Sequence, residues 1–316
     1  MTESRPSRWF STRIPPPIQR LFDKFPLVTY PPNDLPEGSP VGVPGSLPTL
    51  HVFILEEDAL KGRPSFNPSC LKWQTFLRIA GVRVRLLPSN NHASPSGALP
   101  FLQPASTSPD PASPAPASAP VPSTKLYDYA LAHGSSPPGP EPASRRLEAY
   151  QALLDHPVRR AWLHALYLDP SHADLLARLY ARPASRSRPV QAALLHQLRR
   201  AAAAEIAKAD VAPSGSGGAA VAVAEEQLYA RAGEALAALE ALLGDGGAEW
   251  FFGSAAPTLF DAAVFAYTHL LLGGAGVEWG QDGSGGGSRL RAMVRDLPGL
   301  VAHRERIWAR YWTDLG

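Results

Sequence analysis

The sequence predicts an α/β layer followed by an all-α domain, on three observations. A strand-like run, a capped helix and a second strand-like run follow one another between residues 47 and 87. Beyond residue 143 every structured stretch repeats apolar residues at helical spacing. The run from Phe251 to Leu272 opens on a helix start and continues as a helix that is apolar on nearly every side. Such a helix belongs in the middle of a domain with others packed over it. At about fourteen residues, and carrying Asp261 and His269, it is too short and too polar to span a bilayer.

Taken in order, residues 1–46 read as a Pro/aromatic docking arm. Its apolar residues are too few to fold alone, so Trp9, Phe22, Phe25, Leu27 and Tyr30 are candidate partner-binding residues. Arg5, Arg8, Arg13 and Arg20 suit a transit peptide, but Pro15, Pro16 and Pro17 spoil the amphipathic helix it needs, which predicts a retained arm.

Residues 47–133 form the first domain. The β-branched and aromatic content of 47–55 predicts a strand. Asn67 as cap and Pro68 at the first helical position open a helix that Gly81 ends. Alternation over 82–87 predicts a strand near a sheet edge, and the order strand, helix, strand predicts parallel pairing. A turn at 94–100 leads to a short apolar run. It is cut off by a Pro/Ala/Ser insertion at 104–122, read as a disordered loop. Ser123 then caps a helix over 123–131, and the Pro/Gly-rich stretch at 134–144 is the linker.

Residues 145–316 form the helical domain. Helices are predicted over 145–168, interrupted at Pro157, then over 173–180, 189–210 and 225–243, the last two separated by a loop at 214–220. Thr258 followed three residues later by Asp261 is a structural cap in which hydroxyl and carboxylate each accept from an unpaired backbone N–H. The glycines at 280–287 read as linker, and two short helices separated by Pro298 end the chain.

Formal charge is +2, and 25 of the 30 basic residues are arginine, which argues against a nucleic-acid partner. The single cysteine, Cys70, has no disulfide partner. His156, His164 and His172 are spaced eight apart, which does not place them on one helical face, so no metal site is predicted. Arg289, Arg291, Arg295, Arg304, Arg306 and Arg310 make the C-terminal face locally basic, suited to a solvated surface, to anionic headgroups or to an acidic partner.

The segments Cys70–Gly81, Ser94–Pro100, Tyr150–Leu154, and Phe252-Gly253 with Pro257–Ala262 together resemble the glutathione-transferase architecture, and within it the metaxin family. That resemblance implies an N-terminal thioredoxin-like domain and a C-terminal helical domain. The arm at 25–32 resembles the smaller metaxin-like subunit of the fungal mitochondrial sorting and assembly machinery. It implies a non-enzymatic, cofactor-free peripheral subunit on the cytosolic face of the mitochondrial outer membrane. Its implied partners are a β-barrel core subunit, a second metaxin-like subunit and β-barrel precursor proteins. The larger relative is expected to carry extra C-terminal sequence and an anchor, which favours the smaller one. The resemblance also implies a vestigial thiol-site position at Ser69 and Cys70, where a transferase or peroxidase would hold the glutathione thiol at a helix start. Against such an enzyme stand the insertion before Ser123 and Pro122 where an acid or Gln is usual. A soluble interaction module of this fold, like those appended to translation factors, is the third reading.

Overall fold

Four short strands make one sheet in the order β2-β1-β3-β4. They are β1 (Thr49–Val52), β2 (Arg85–Pro88), β3 (Phe101–Gln103) and β4 (Val121–Pro122). β1 pairs parallel with β2, setting Leu50 against Leu86, and antiparallel with β3, setting Leu50 against Leu102. This computed structural model describes residues 47–105, 119–142, 144–208, 218–244, 249–280 and 285–313, all within one compact unit. The arm with Trp9, Phe22, Phe25, Leu27 and Tyr30, and most of the 104–122 insertion, lie outside the described residues.

Two helices precede β2: α1 (Glu56–Leu60), which the sequence reading missed, and α2 (Pro68–Ile79). α2 starts as expected, with the Asn67 side chain accepting from the Cys70 N–H, and the turn after it holds Gly81 at φ +72°, a conformation that favours glycine. The end of the insertion differs from the expectation, because Val121 and Pro122 form β4 against β3. Proline is tolerated there because β4 is an edge strand. Ser123 gives no side-chain cap; Ser123–Lys125 is a 3₁₀ turn leading into α3 (Leu126–His133).

The helical layer begins with α4 (Arg145–Leu153). Pro157 does not interrupt it as expected: the chain passes through a π-helical stretch, Leu154–Val158, into α5 (Arg159–Leu163) and a second π stretch, His164–Leu168. A wider turn absorbs the N–H that proline lacks. Then follow α6 (Ala173–Leu176), α7 (Arg188–Ala207), α8 (Gly218–Gly244), α9 (Leu259–Leu271), α10 (Gly285–Arg295) and α11 (Pro298–Tyr311). The stretch expected to be a loop up to residue 220 is helical from Gly218.

The glycines read as linker are partly helix. Gly285–Gly287 open α10, and the Gly286 N–H donates to Asp169 Oδ2 at 2.6 Å. A Cβ on Gly286 would lie 1.6 Å from the Tyr229 hydroxyl, and one on Gly287 would lie 1.8 Å from the Trp279 ring. Composition marked these residues as breakers, whereas close approach of two aromatic rings requires them.

Every residue of α9 from Phe260 to Leu271 is buried. It packs against α2, and the two helices trade residues: Leu71 of α2 belongs to the helical core, and Ala262 of α9 to the core beneath the sheet. At about 1.5–3 kcal/mol per fully buried large apolar side chain, this contact welds the two layers together.

Candidate functional site

The start of α9 is a closed hydrogen-bond centre. Asp261 is fully buried; its Oδ2 accepts from the Thr258 N–H and hydroxyl, both at 2.8 Å, while Thr258 Oγ1 accepts from the Asp261 N–H. The predicted capping box is therefore present. Two further donors reach Oδ1: the Phe251 N–H at 3.1 Å and His303 Nε2 at 2.9 Å. From the stretch expected to be a linker, Glu141 accepts the Phe260 N–H at 2.9 Å, and burial raises its carboxyl above the usual range. Gly139 in the same stretch donates to Pro257 O. Asp261 is enclosed, and every donor it accepts from belongs to the protein, so this centre holds structure together.

The start of α2 is different, because it lines a cleft of about 400 Å³ between the sheet layer and the helical layer. Asn67, Ser69 and Leu99 come from one side, and Arg159, Tyr167 and Tyr180 from the other. Asn67 accepts from Cys70 N–H at 3.2 Å and donates to the Tyr180 hydroxyl at 3.1 Å. Burial lifts the Tyr167 hydroxyl to about 12 and the Tyr180 hydroxyl well above its ordinary value, so both stay neutral.

Of the two expected thiol-site residues, only Ser69 lines this cleft. Cys70 is wholly buried beneath it, its Sγ accepting from the Phe53 N–H at 3.5 Å. Burial pushes its thiol up to about 12, against the thiolate a nucleophile requires. Ala98 and Leu99, just before a cis Leu99-Pro100 bond, line the cleft wall, and the Leu99 N–H donates to Asn91 Oδ1 at 3.0 Å.

Of the three histidines noted in the sequence, His156 is exposed and the other two bond within the protein. His164 bonds the Tyr229 hydroxyl at 2.9 Å and His172 the Ala165 carbonyl at 3.0 Å. No group of residues suited to hold a metal ion occurs among the described residues. The C-terminal arginines are largely engaged: Arg289 pairs with Glu226 and stacks on Tyr229, and Arg306 donates to Glu249 O. No helix among the described residues is long and apolar enough to cross a membrane. Sequence reasoning missed Glu141, His303 and Asn91, each of which acts on a residue far from it in the chain or across a turn.

Comparison with known proteins bears on the fold. The glutathione S-transferase N-terminal domain family matches residues 68–172, and the glutathione S-transferase C-terminal domain family matches residues 232–307. Among solved structures, a glutathione S-transferase of Methylobacterium radiotolerans in complex with glutathione sulfonate is 18% identical, covering 84% of this chain and 92% of that one at a TM-score of 0.42. The β-etherase LigF of Sphingobium is 15% identical, covering 84% and 96% at 0.42. A glutathione S-transferase III in its apo form is 16% identical, covering 84% and 93% at 0.42. No curated protein matches the chain. Two family matches in the right order, on a small mixed sheet followed by a helical domain, show that this chain has the glutathione-transferase-like fold, with an N-terminal thioredoxin-like layer and a C-terminal helical one.

Proposed function

We propose that this protein is a non-catalytic subunit, a transferase-like scaffold that sits peripherally on the cytosolic face of the mitochondrial outer membrane. There it docks on a β-barrel core subunit beside a second metaxin-like subunit and helps receive β-barrel precursors. The observation that carries this reading is the burial of the one thiol near the start of α2. Cys70 is buried with its thiol at about 12, and the Leu99 N–H across the cleft is taken by Asn91. The metaxin-like segments supply the class of assembly, and the aromatic arm supplies a contact surface in Trp9, Phe22, Phe25, Leu27 and Tyr30. Mild-detergent extraction of mitochondria, followed by affinity purification and mass spectrometry, is expected to recover a β-barrel protein with this chain. Recovery as a free monomer refutes the proposal.

A second reading, a glutathione-dependent transferase or peroxidase, is favoured by one feature: Ser69 lines the cleft in the first turn of α2, where the helix dipole stabilises an anion. Retention on immobilised glutathione that is lost in the Ser69→Ala/Cys70→Ala double variant supports that reading. Absence of retention removes it.

A further inference from the structure

The segment from the start of α5 to the end of α7, residues 159–208, holds nine Lys or Arg against three Asp or Glu, a net of +6. The whole chain is only +2, so everything outside this segment sums to −4. The three carboxylates already have partners. Asp169 accepts from the Gly286 N–H and the Ser171 hydroxyl, Asp174 pairs with Arg182, and Glu205 pairs with Lys208 at 2.6 Å. Arg178 donates to the Gly276 carbonyl at 2.8 Å. Among the described residues, Arg159, Arg160, Arg186, Arg188, Arg199 and Arg200 have no carboxylate within ion-pair distance.

The shape of α7 spreads this charge along one side of the helical layer. Its 20 residues make a rod about 30 Å long, which packs on α5 and on the π stretches His164–Leu168 and Ala177–Ala181. Its inner side lines the cleft with Leu198 and Ala202, and Ala202 is its one buried residue. Arg188, Val190, Ala193 and Arg200 are all exposed. At the far end, the Lys208 hydrogen bond and then the charges of Arg159 and Arg160 hold the Glu205 carboxyl below its ordinary range, which sets the α5 arginines beside the end of α7. Guanidiniums spread along a convex rod suit a plane of anionic groups rather than one small ligand. Val190, 46% exposed between Arg188 and Arg200, is an apolar side chain that a nucleic acid leaves in water and a headgroup layer covers. The net −4 of the remaining chain is repelled by such a plane, which confines contact to this face.

We propose that the outer side of α7 is the face by which this protein lies on an anionic membrane surface. Arg188, Arg199 and Arg200 pair with phospholipid headgroups, Arg159 and Arg160 add their charge at the end of the helix, and Val190 enters the headgroup layer. The contact requires lipid alone, so it stands or falls apart from docking on a β-barrel partner.

The test is flotation of the full-length protein with vesicles of phosphatidylcholine, with and without phosphatidylserine. Phosphatidylserine is expected to raise binding about tenfold or more, and added salt to reverse the gain as it screens the charges. A basic side chain near such a surface is worth roughly fivefold in partitioning, so Arg188→Glu/Arg200→Glu is expected to weaken binding by about twentyfold or more. Both residues are exposed and glutamate is a good helix former, so an unchanged far-UV circular dichroism spectrum and melting temperature separate lost binding from lost folding. Arg295→Glu/Arg310→Glu makes the same change of net charge at exposed residues of α10 and α11, and is expected to lose less than about threefold. Equal loss in the two variants assigns the binding to net charge and overturns this face, as does binding that survives Arg188→Glu/Arg200→Glu. Binding that phosphatidylserine does not raise overturns the electrostatic contact. Capture of a duplex oligonucleotide through Arg188 and Arg200, with vesicles left unbound, overturns the lipid partner.

Discussion

Two helix starts in this molecule use the same polar vocabulary to opposite ends. At α9, Thr258, Asp261, Glu141 and His303 close on one another inside the core, with Asp261 accepting from four donors. At α2, Asn67 provides one capping bond and reaches Tyr180, while Ser69 remains at the wall of a cleft. Capping chemistry therefore does not by itself mark either a structural or a functional site. What separates them is whether the surrounding chain has used up the donors.

That contrast is broken most forcefully by Asp261→Ala. Removing a buried carboxylate that holds four donors, from Thr258 (N–H and hydroxyl), Phe251 and His303, leaves them without it, and chemical denaturation is expected to show a loss of about 3–5 kcal/mol. The far end of the same helix gives the next largest effect. His269 lies stacked between Phe265 and Trp308, and burial lowers its pKa from 6.5 to about 3. Between those values the unfolded chain binds a proton that the folded chain excludes. Stability is complete above about pH 6.5 and falls with pH by about 1.4 kcal/mol per unit. His269→Phe is expected to flatten the slope of stability against pH, by about 2 kcal/mol between pH 7 and pH 5, as read from urea midpoints. His51, also lowered by burial, to about 4, keeps its share of the slope in that variant.

At α2 the expected effects are smaller. Asn67→Ala removes one cap and one partner of Tyr180, for about 1 kcal/mol in the same denaturation assay. Ser69→Ala is expected to stay within about 0.5 kcal/mol of the parent. A Ser69 effect as large as that of Asp261 would erase the distinction between the two helix starts.

How much of this was legible in the sequence follows from how local each cause is. The α9 cap spans three residues and its apolar run is continuous, so both could be read directly. The groups that complete the cap could not: Glu141 sits on a segment that looks like linker, and His303 lies 42 residues on. The same holds for the glycines that open α10, whose role depends on Tyr229 and Trp279, and for Pro157, whose helix continues by widening to a π turn. In the cleft, the position of Ser69 and Cys70 at a helix start was readable from Asn67 and Pro68. The burial of Cys70 beneath Phe53, and the capture of the Leu99 N–H by Asn91, were not, since neither leaves a mark on composition or spacing.

Arg78 carries a consequence for the order in which the molecule can be made. It fastens the end of α2 to the Gly62 carbonyl, 16 residues before it, and to the Tyr311 carbonyl, 233 residues after it. The apolar flank of α2 is covered by α9, which is synthesised about 190 residues after it begins. A chain emerging from the ribosome can therefore pair β1 with β2 and cap α2 early. It must then hold an uncovered apolar helix until α9 has emerged, and the end of α2 is fastened only after α11 has followed it.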